Sequence, residues 1–269
     1  MPFWQGDESL SSVGRMKIIV NADDLGRNAE TNRRIIELAH SGHITSVSLI
    51  ANAPAIGAAI GELTQFTKLS KGVHLNITEF SPLTPSDKLG PLRECVNEQG
   101  LFRGEEFLSS IRITSALAEA IFVELVAQVD ALLARGIQVS HFDSHNHIHT
   151  IPGLFLVIKR LQHHFGIRKV RTTWNIFSPR KVQGGSRRFR KQMWHLALRY
   201  YYRTVTTDGF SSLADFVEVA SVRVLEHNSI EVMVHPGHAD YEEETTLLHT
   251  NWRERILLPT ELISYDELQ

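Results

Sequence analysis

A short apolar segment passes directly into metal-ligand side chains at residues 136–149, which read Gly-Ile-Gln-Val-Ser-His-Phe-Asp-Ser-His-Asn-His-Ile-His. Every second position from 141 onward is histidine or aspartate: His141, Asp143, His145, His147 and His149. Alternate residues of an extended chain point to the same side. Histidine is a common ligand of transition metals through a neutral ring nitrogen. The pattern therefore predicts a metal site at the end of a strand, rather than a solvated polar loop.

A second cluster of polar residues follows the apolar segment Met16-Lys-Ile-Ile-Val20, which is typical of a buried strand. It reads Asn21-Ala-Asp-Asp-Leu-Gly26 and precedes a predicted helix at 30–40. Adjacent carboxylates repel each other unless a cation or a proton separates their roles. Asp and Asn are also common in turns and helix caps, which is the structural alternative. Because histidines cluster elsewhere in the chain, we interpret Asp23 and Asp24 as site residues.

Two further histidines end short apolar segments in the same way. They are His74, in Lys71-Gly-Val-His-Leu-Asn76, and His235, in Ile230-Glu-Val-Met-Val-His-Pro-Gly237. Taken singly, each could be a histidine of the core. Taken together with the other clusters, they repeat one arrangement, in which a strand ends in a polar residue and a loop follows. That arrangement is typical of a β/α barrel, whose active-site groups lie at the carboxyl ends of several strands.

The composition fits one large α/β domain. The chain has 269 residues, of which 42% are hydrophobic and 22% charged, as is ordinary for a globular protein with a sizeable core. The single cysteine, Cys95, excludes an intrachain disulfide and suits a reducing compartment. The first residues lack the regions of a signal peptide, and no apolar run approaches transmembrane length. We expect a cytoplasmic protein with a flexible extension at 1–14 and one domain at 15–269.

Short apolar segments alternate with helical patterns along the chain, which favours a mainly parallel sheet. The predicted strands are 16–21, 44–51, 71–77, 137–143, 169–174, 215–222 and 230–235. The predicted helices are 30–40, 54–66, 115–135, 153–165, 187–202 and 241–249. The clearest helix is that at 115–135, whose apolar stripe consists of Leu117, Ile121, Leu125 and Leu132. Residues 78–110 have little periodicity and are expected to form a long loop region near the site.

The motifs at 21–26, 72–76, 141–149 and 235–237 resemble, in the same order, those of the YdjC-like carbohydrate deacetylases, which include chitooligosaccharide deacetylase. The resemblance runs from about residue 16 to the last predicted strand. Its first and third motifs are specific, whereas the second is short. The resemblance implies a single β/α barrel, often with seven strands, related to the NodB-type polysaccharide deacetylases. It also implies the reaction, a metal-dependent hydrolysis that removes an N-acetyl group from an amino sugar, free or within an oligosaccharide or glycolipid.

By the same resemblance, Asp24, His74 and His145 are the metal ligands, Asp23 is the general base and His235 is the general acid. Two neutral imidazoles and one carboxylate leave positions for water and substrate on a metal ion. Amide hydrolysis also needs a proton for the departing amine, and a histidine suits that role. The ligand set favours zinc, iron, cobalt or nickel by ligand softness, whereas the resemblance brings in magnesium. We expect a divalent cation, with Mg²⁺ and Zn²⁺ as the candidates.

The remaining polar and aromatic residues near these motifs are candidates for supporting roles. Asp143 could orient a ligand imidazole. His147 and His149 could do the same or bind substrate. Asn76 and Trp174 are candidate sugar contacts, Trp174 because aromatic faces stack on sugar rings, with packing in the core as its alternative.

Two other functions fit part of the pattern. A non-haem iron oxygenase would combine His141 and Asp143 with His235 in a set of two histidines and one carboxylate. That hypothesis leaves the adjacent aspartates and His74 without a role. A non-catalytic protein that binds a metal or a glycan would hold a structural ion and need no base. Such a protein should tolerate the substitution Asp23→Asn.

The net charge of −2 conceals an uneven distribution of charge. Between residues 151 and 207 there are 13 Lys or Arg and no Asp or Glu, so the other residues carry 15 basic and all 30 acidic side chains. The segment 187–203 mixes cations with aromatic residues, which suits either a solvated helix or a surface for anionic lipid. We predict a peripheral position at the membrane through salt-sensitive contacts of Arg187, Arg188, Arg190 and Lys191. No nucleic-acid motif accompanies this segment, so no nucleic-acid partner is expected.

Overall fold

Parallel strands form the centre of the fold. The computed structural model describes residues 15–178 and 185–269, so the predicted extension at 1–14 lies outside it. Seven strands lie in the described part: β1 (Met16–Leu25), β2 (Ser46–Leu49), β3 (Ser70–Leu75), β4 (Val139–Ser144), β5 (Gly209–Ser212), β6 (Ser229–Val234) and β7 (Thr260–Leu262). Every pair of neighbouring strands is parallel. The predicted α/β class with a parallel sheet is confirmed.

Helices alternate with these strands, and a helix is present at each of the six predicted positions. The helices of the described residues are α1 (Ala29–His40), α2 (Ile56–Leu63), α3 (Glu105–Ser110), α4 (Ser115–Leu133), α5 (Phe155–Phe165), α6 (Gly185–Tyr200), α7 (Leu213–Ala220) and α8 (Glu242–Leu248). The predicted stripe of α4 is fully buried at all four positions. None of the helices in the two described ranges combines the length and the apolar character that a membrane span requires.

The strand predicted at 215–222 is wrong, because this segment is the helix α7. Its valines and phenylalanine favour a strand by composition. Its buried residues, however, recur with the helical period, at Leu213, Phe216, Val217 and Ala220. The Ser212 side chain caps the helix by accepting a hydrogen bond from the Asp215 amide at 3.2 Å. The strands β5 and β7 were not predicted, because each is only a few residues long.

The strand order is β4–β3–β2–β1–β6–β5, and β7 pairs with the beginning of β1. The continuous ladders leave β4 and β5 at opposite edges. No regular strand forms at the predicted position 169–174. The segment 169–175 lies between β4 and β5 and forms isolated parallel bridges, among them Phe142 with Val170 and Asn175 with Phe210. This side of the predicted barrel is therefore spanned by single bridges rather than by a ladder. The parallel direction places the carboxyl ends of all strands at one end of the fold.

The loop after β3 is held in place by polar groups of α4. Glu124 and Gln128 are fully buried on this helix. The Glu124 carboxylate accepts hydrogen bonds from the amides of Leu83 and Thr84 at 3.0 and 2.8 Å. Gln128 exchanges two hydrogen bonds with the backbone of Asn76. The first part of the predicted loop region at 78–110 is thus fixed against α4, whereas its last part is the helix α3 rather than a loop. Glu79 and Glu105 reach the cavity described below.

Candidate active site

The carboxyl ends of four strands bring the five principal predicted residues to one cavity of about 380 Å³. Two of them end β1, one ends β3, one follows β4 and one follows β6. They are Asp23, Asp24, His74, His145 and His235. All of these side chains except that of His235 are buried. Residues separated by more than 200 positions in the sequence are therefore neighbours in space.

Asp24, His74 and His145 converge closely enough to hold one cation. The Asp24 Oδ1 atom lies 2.9 Å from His145 Nδ1 and 3.4 Å from His74 Nε2. One ligand atom from each residue lies within 4.8 Å of the others. Asp24 has a φ of 71°, a conformation that non-glycine residues rarely adopt and that often occurs at functional sites. Two imidazoles and one carboxylate form a donor set that fits a divalent cation.

A carboxylate approaches the far nitrogen of each of these histidines. His74 Nδ1 lies 2.9 Å from Asp143 Oδ1, and His145 Nε2 lies 3.3 Å from Glu79 Oε1. Partners of this kind fix the tautomer and the orientation of a ligand imidazole. Glu79 also pairs with Arg27, at 2.9 Å. Sequence reasoning missed Glu79 and Arg27, because the loop around Glu79 carries no periodic signal.

The protonation of these histidines opposes metal binding. Burial lowers the pKa of His74, but the charges of Asp143 and Asp23 outweigh it and raise the pKa to about 10. Burial likewise lowers the pKa of His145, and its hydrogen bonds to Asp24 and Glu79 produce a net increase. A histidine must be neutral to ligate a metal. A cation at this position would therefore compete with protons.

Asp23 is held by a buried guanidinium. Arg171 is fully buried and donates to both oxygens of Asp23 at 2.7 Å. The same guanidinium lies 2.8 Å from Asp143 Oδ2 and 2.8 Å from Glu231 Oε1. Burial acts to raise the pKa of Asp23, but Arg171 and His74 lower it below its ordinary value. Asp23 is consequently ionised and fixed in orientation. Sequence reasoning missed Arg171, although a charged residue inside the predicted strand at 169–174 was a signal for it.

His235 faces Asp23 across the cavity, with its Nε2 atom 3.9 Å from Asp23 Oδ2. Its Nδ1 atom lies 3.3 Å from Glu244 Oε2, and the same oxygen accepts a hydrogen bond from the His235 amide at 3.1 Å. The ring stacks on Tyr241 at 4.5 Å between centroids. Burial lowers the pKa of His235, but the hydrogen bond to Glu244 and the charge of Asp23 raise it above its ordinary value. His235 is therefore suited to donate a proton at neutral pH.

The other predicted histidines lie at the edge of this cavity or behind it. His147 lines the cavity and two adjoining ones, and its φ of 51° forms part of a sharp turn after His145. His149 is buried beside Ser144 and lines only an adjoining cavity of about 320 Å³. Burial lowers the pKa of both histidines to about 3, so they are neutral. His147 is thus the better placed of the two to contact a substrate.

The two residues expected to contact a sugar, Asn76 and Trp174, do not line the catalytic cavity. Asn76 is fully buried, and its side chain bonds to the loop that it begins. Its Oδ1 atom accepts from the amides of Thr78 and Glu79 at 3.0 and 3.1 Å, and its Nδ2 atom donates to the Glu79 carbonyl at 2.7 Å. Asparagine commonly closes turns in this way. Trp174 packs near His195 and does not line the cavity. The hydrogen bonds of Asn76 to the backbone of Glu79 hold Glu79 in position.

The donor set required by the oxygenase hypothesis does not form. The His141 ring is fully buried and stacks on Tyr265 at 3.6 Å between centroids. It also packs so closely on Gly72 that a Cβ atom there would lie 2.4 Å from the ring. Among the described residues, the converging donor groups are Asp24 with His74 and His145, and Asp23 with His74 and Asp143. His141 belongs to neither group.

Comparison with known proteins identifies relatives along nearly the whole chain. The model of the YdjC-like protein family matches residues 17–258. A carbohydrate deacetylase of Brevibacillus brevis is 31% identical over 233 residues, which cover 84% of this chain and 83% of that protein. A carbohydrate deacetylase of Halalkalibacterium halodurans is 29% identical over 251 residues, covering 93% and 95%. The crystal structure of a candidate cellobiose-phosphate cleavage protein from Enterococcus faecalis V583 has the same fold, with a TM-score of 0.73 at 21% identity over 94% of this chain and 98% of that one.

Proposed function

The chain belongs to the YdjC-like family, and we propose that it is a carbohydrate deacetylase that uses a divalent cation to hydrolyse the N-acetyl group of an amino sugar. One observation carries the proposal: a converging set of metal donors shares a cavity with an ionised carboxylate and a protonatable histidine. The names of the relatives from Brevibacillus brevis and Halalkalibacterium halodurans support it. The substrate would be a free amino sugar, an oligosaccharide or a glycolipid, and the site of action would be the cytoplasm.

Asp24, His74 and His145 would hold the cation, either Mg²⁺ or Zn²⁺. A bound divalent cation supplies Lewis acidity, which polarises the acetyl carbonyl and makes a water molecule easier to deprotonate. The carboxylates of Asp143 and Glu79, which approach the second nitrogen of each ring, would keep the two imidazoles in the ligating orientation.

Asp23 would act as the general base. Its Oδ2 atom faces the cavity between His74 and His235, at 3.9 Å from the Nε2 atom of each ring. Because Arg171 and His74 hold its pKa down, Asp23 is a weak base that is always in the required ionised form. Its contribution is to accept the proton of the attacking water in a fixed position, as the water oxygen forms a bond to the acetyl carbon.

His235 would act as the general acid. Cleavage of the C–N bond requires a proton on the departing nitrogen, since an amide anion is a very poor leaving group. The raised pKa of His235 keeps this proton available at neutral pH. The products would be acetate and a free amine. The proton that Asp23 takes from water lies close to His235 and could restore it.

The proposal is tested by acetate release from a panel of N-acetylated sugars, which includes the free sugar, chitobiose, nucleotide sugars and lipid-linked sugars. We expect release that stops on chelation and returns with added cation. Asp23→Asn should keep the metal and reduce turnover by about 10²-fold or more, the usual scale for a lost general base. Asp130→Asn, an equal change at an exposed position of α4, is the matched control.

Two results would contradict this function. Full activity of the chelated protein would exclude metal-dependent hydrolysis. Metal binding without acetate release from any sugar would favour the non-catalytic metal- or glycan-binding alternative. In that case Asp23→Asn should leave metal or glycan binding unchanged.

A further inference from the structure

The outer side of α6 carries an exposed apolar stripe. Phe189, Met193, Leu196 and Tyr200 are 63%, 51%, 39% and 77% exposed. Their spacing of four, three and four residues places them on one side of a helix. Tyr201, in the turn that follows, is 55% exposed. A stripe with this period normally faces the core of a globular protein, yet this one faces outward.

The opposite side of α6 already packs on the protein. Trp194 contacts Phe155 edge to face at 4.8 Å between ring centroids, and Leu198 is buried. Lys191 donates a hydrogen bond to Asn175 at 2.6 Å. This corrects the expectation that Lys191 belongs to an outer basic surface. These contacts anchor the inner side of the helix, and the side chains of the outer stripe remain partly or largely exposed.

The sequence around the stripe is basic. Thirteen Lys or Arg and no Asp or Glu lie between residues 151 and 207. Lys159 and Arg171 are buried and contribute nothing to the surface. Arg203, after the helix, is exposed, and so is Arg199, beside Tyr200, which pairs with Asp208 at 3.3 Å. The side chains at 187, 188 and 190 lie outside the described part, but the sequence makes all three arginine.

Exposed aromatic and aliphatic side chains among cations are complementary to one kind of surface. The cations attract lipid phosphates, each contributing about 1 kcal/mol near an anionic membrane, and the apolar groups enter the headgroup boundary. We propose that the outer stripe of α6 (Phe189, Met193, Leu196, Tyr200) docks the protein on an anionic phospholipid surface.

The position of α6 gives this docking a consequence for the substrate. The inner residues Lys191 and Trp194 line the adjoining cavity of about 320 Å³. That cavity shares Glu105, Asn146 and His147 with the catalytic cavity. A membrane under α6 would therefore lie one helix away from the site. This consequence rests on the proposed function, and it favours an amino sugar attached to a lipid as the substrate.

The test is sedimentation of the whole protein with vesicles of phosphatidylcholine alone or mixed with phosphatidylglycerol. We expect binding to the anionic vesicles that falls at least about tenfold between about 50 mM and about 500 mM NaCl, and much weaker binding to the neutral ones. Phe189→Ser with Tyr200→Ser should reduce the partition coefficient by at least about tenfold. Val123→Ser with Leu257→Ser, which removes exposed apolar groups elsewhere, should not change it.

Charge is tested separately with the triple variant Arg187→Glu, Arg188→Glu and Arg190→Glu, which should also lose vesicle binding. Acetate release from a soluble sugar should be unchanged in every variant, so failure of docking is distinguished from failure of the catalytic proposal. Wild type that ignores anionic vesicles at low salt overturns the proposal, as does equal binding by the stripe variant. A dimer in sedimentation velocity that Phe189→Ser dissociates, without vesicle binding, would assign the stripe to a second copy instead.

Discussion

The substitution Glu244→Gln tests whether His235 is the proton donor. Glu244 is buried on α8, and its Oε2 atom lies 3.3 Å from His235 Nδ1. The carboxylate stabilises the imidazolium form and so contributes to the raised pKa of His235. Glutamine has the same shape and can still accept both hydrogen bonds from His235, but it carries no charge. The variant therefore removes the electrostatic effect while the position of the ring is retained.

The expected size of the effect follows from this geometry. Two full charges at this separation interact by about 5 kcal/mol at an effective dielectric constant of about 20, which is an upper bound. The neutral hydrogen bond that remains is weaker than the charge-assisted bond by about 1–1.5 kcal/mol. One pKa unit corresponds to about 1.4 kcal/mol. We therefore expect the pKa of His235 to fall by about one unit.

The assay is the pH dependence of kcat for acetate release. A general acid is active when protonated, so activity is lost as pH rises through the pKa of His235. In Glu244→Gln this alkaline limb should move about one unit toward lower pH. On the neutral plateau the rate should change little. Glu243→Gln, at an exposed position of the same helix, is the control and should leave the limb in place.

An alkaline limb that stays in place in Glu244→Gln, or moves to higher pH, would refute the assignment of His235. A loss of activity by the same factor at every pH would indicate instead that Glu244 acts only by holding the ring in position.

Three further predictions concern the metal donors and the buried charges. His74→Ala should lower bound metal, measured by elemental analysis, and acetate release together, and loss of only one would contradict its role as a ligand. Because the pKa of His74 is about 10 in the metal-free protein, cation binding at pH 8 should release close to one proton from His74 and a further fraction of a proton from His145, whose pKa is also raised. Titration calorimetry in buffers of different ionisation enthalpy measures this number, and affinity should rise with pH up to that value. Arg171→Leu should lower the free energy of unfolding in urea by about 3–5 kcal/mol, since it removes the guanidinium that the buried carboxylates of Asp23, Asp143 and Glu231 share. A decrease in the free energy of unfolding of less than about 1 kcal/mol would show that the three carboxylates are stabilised in another way.

The local pattern of the sequence was sufficient to predict the class of fold and to indicate which polar residues lie together in one cavity. The stripe of α4 has a clear helical period, and that period forms wherever one side of a helix is buried. Near the ends of β3 and β6 the sequence changes from an apolar to a polar residue, at Val73 to His74 and at Val234 to His235. Because parallel strands end at one edge of a sheet, residues at such changes can be predicted to lie together without knowledge of the exact packing.

Tertiary structure alone decided which groups support these residues. Arg171 and Glu79 act through contacts with residues distant in sequence, and Glu244 contacts His235 across the loop that follows β6. The period of a helix or a strand does not specify which partner such a charge meets. The identity of α7 was also decided by packing, since its composition favours a strand and its burial follows a helix. The two sides of α6 likewise look alike in sequence, because both carry aromatic residues and cations. Only the docking of Trp194 on Phe155 turned one side inward and left Phe189 and Tyr200 exposed. Propensity depends on neighbours a few residues away, whereas burial and charge pairing depend on what the rest of the chain places opposite.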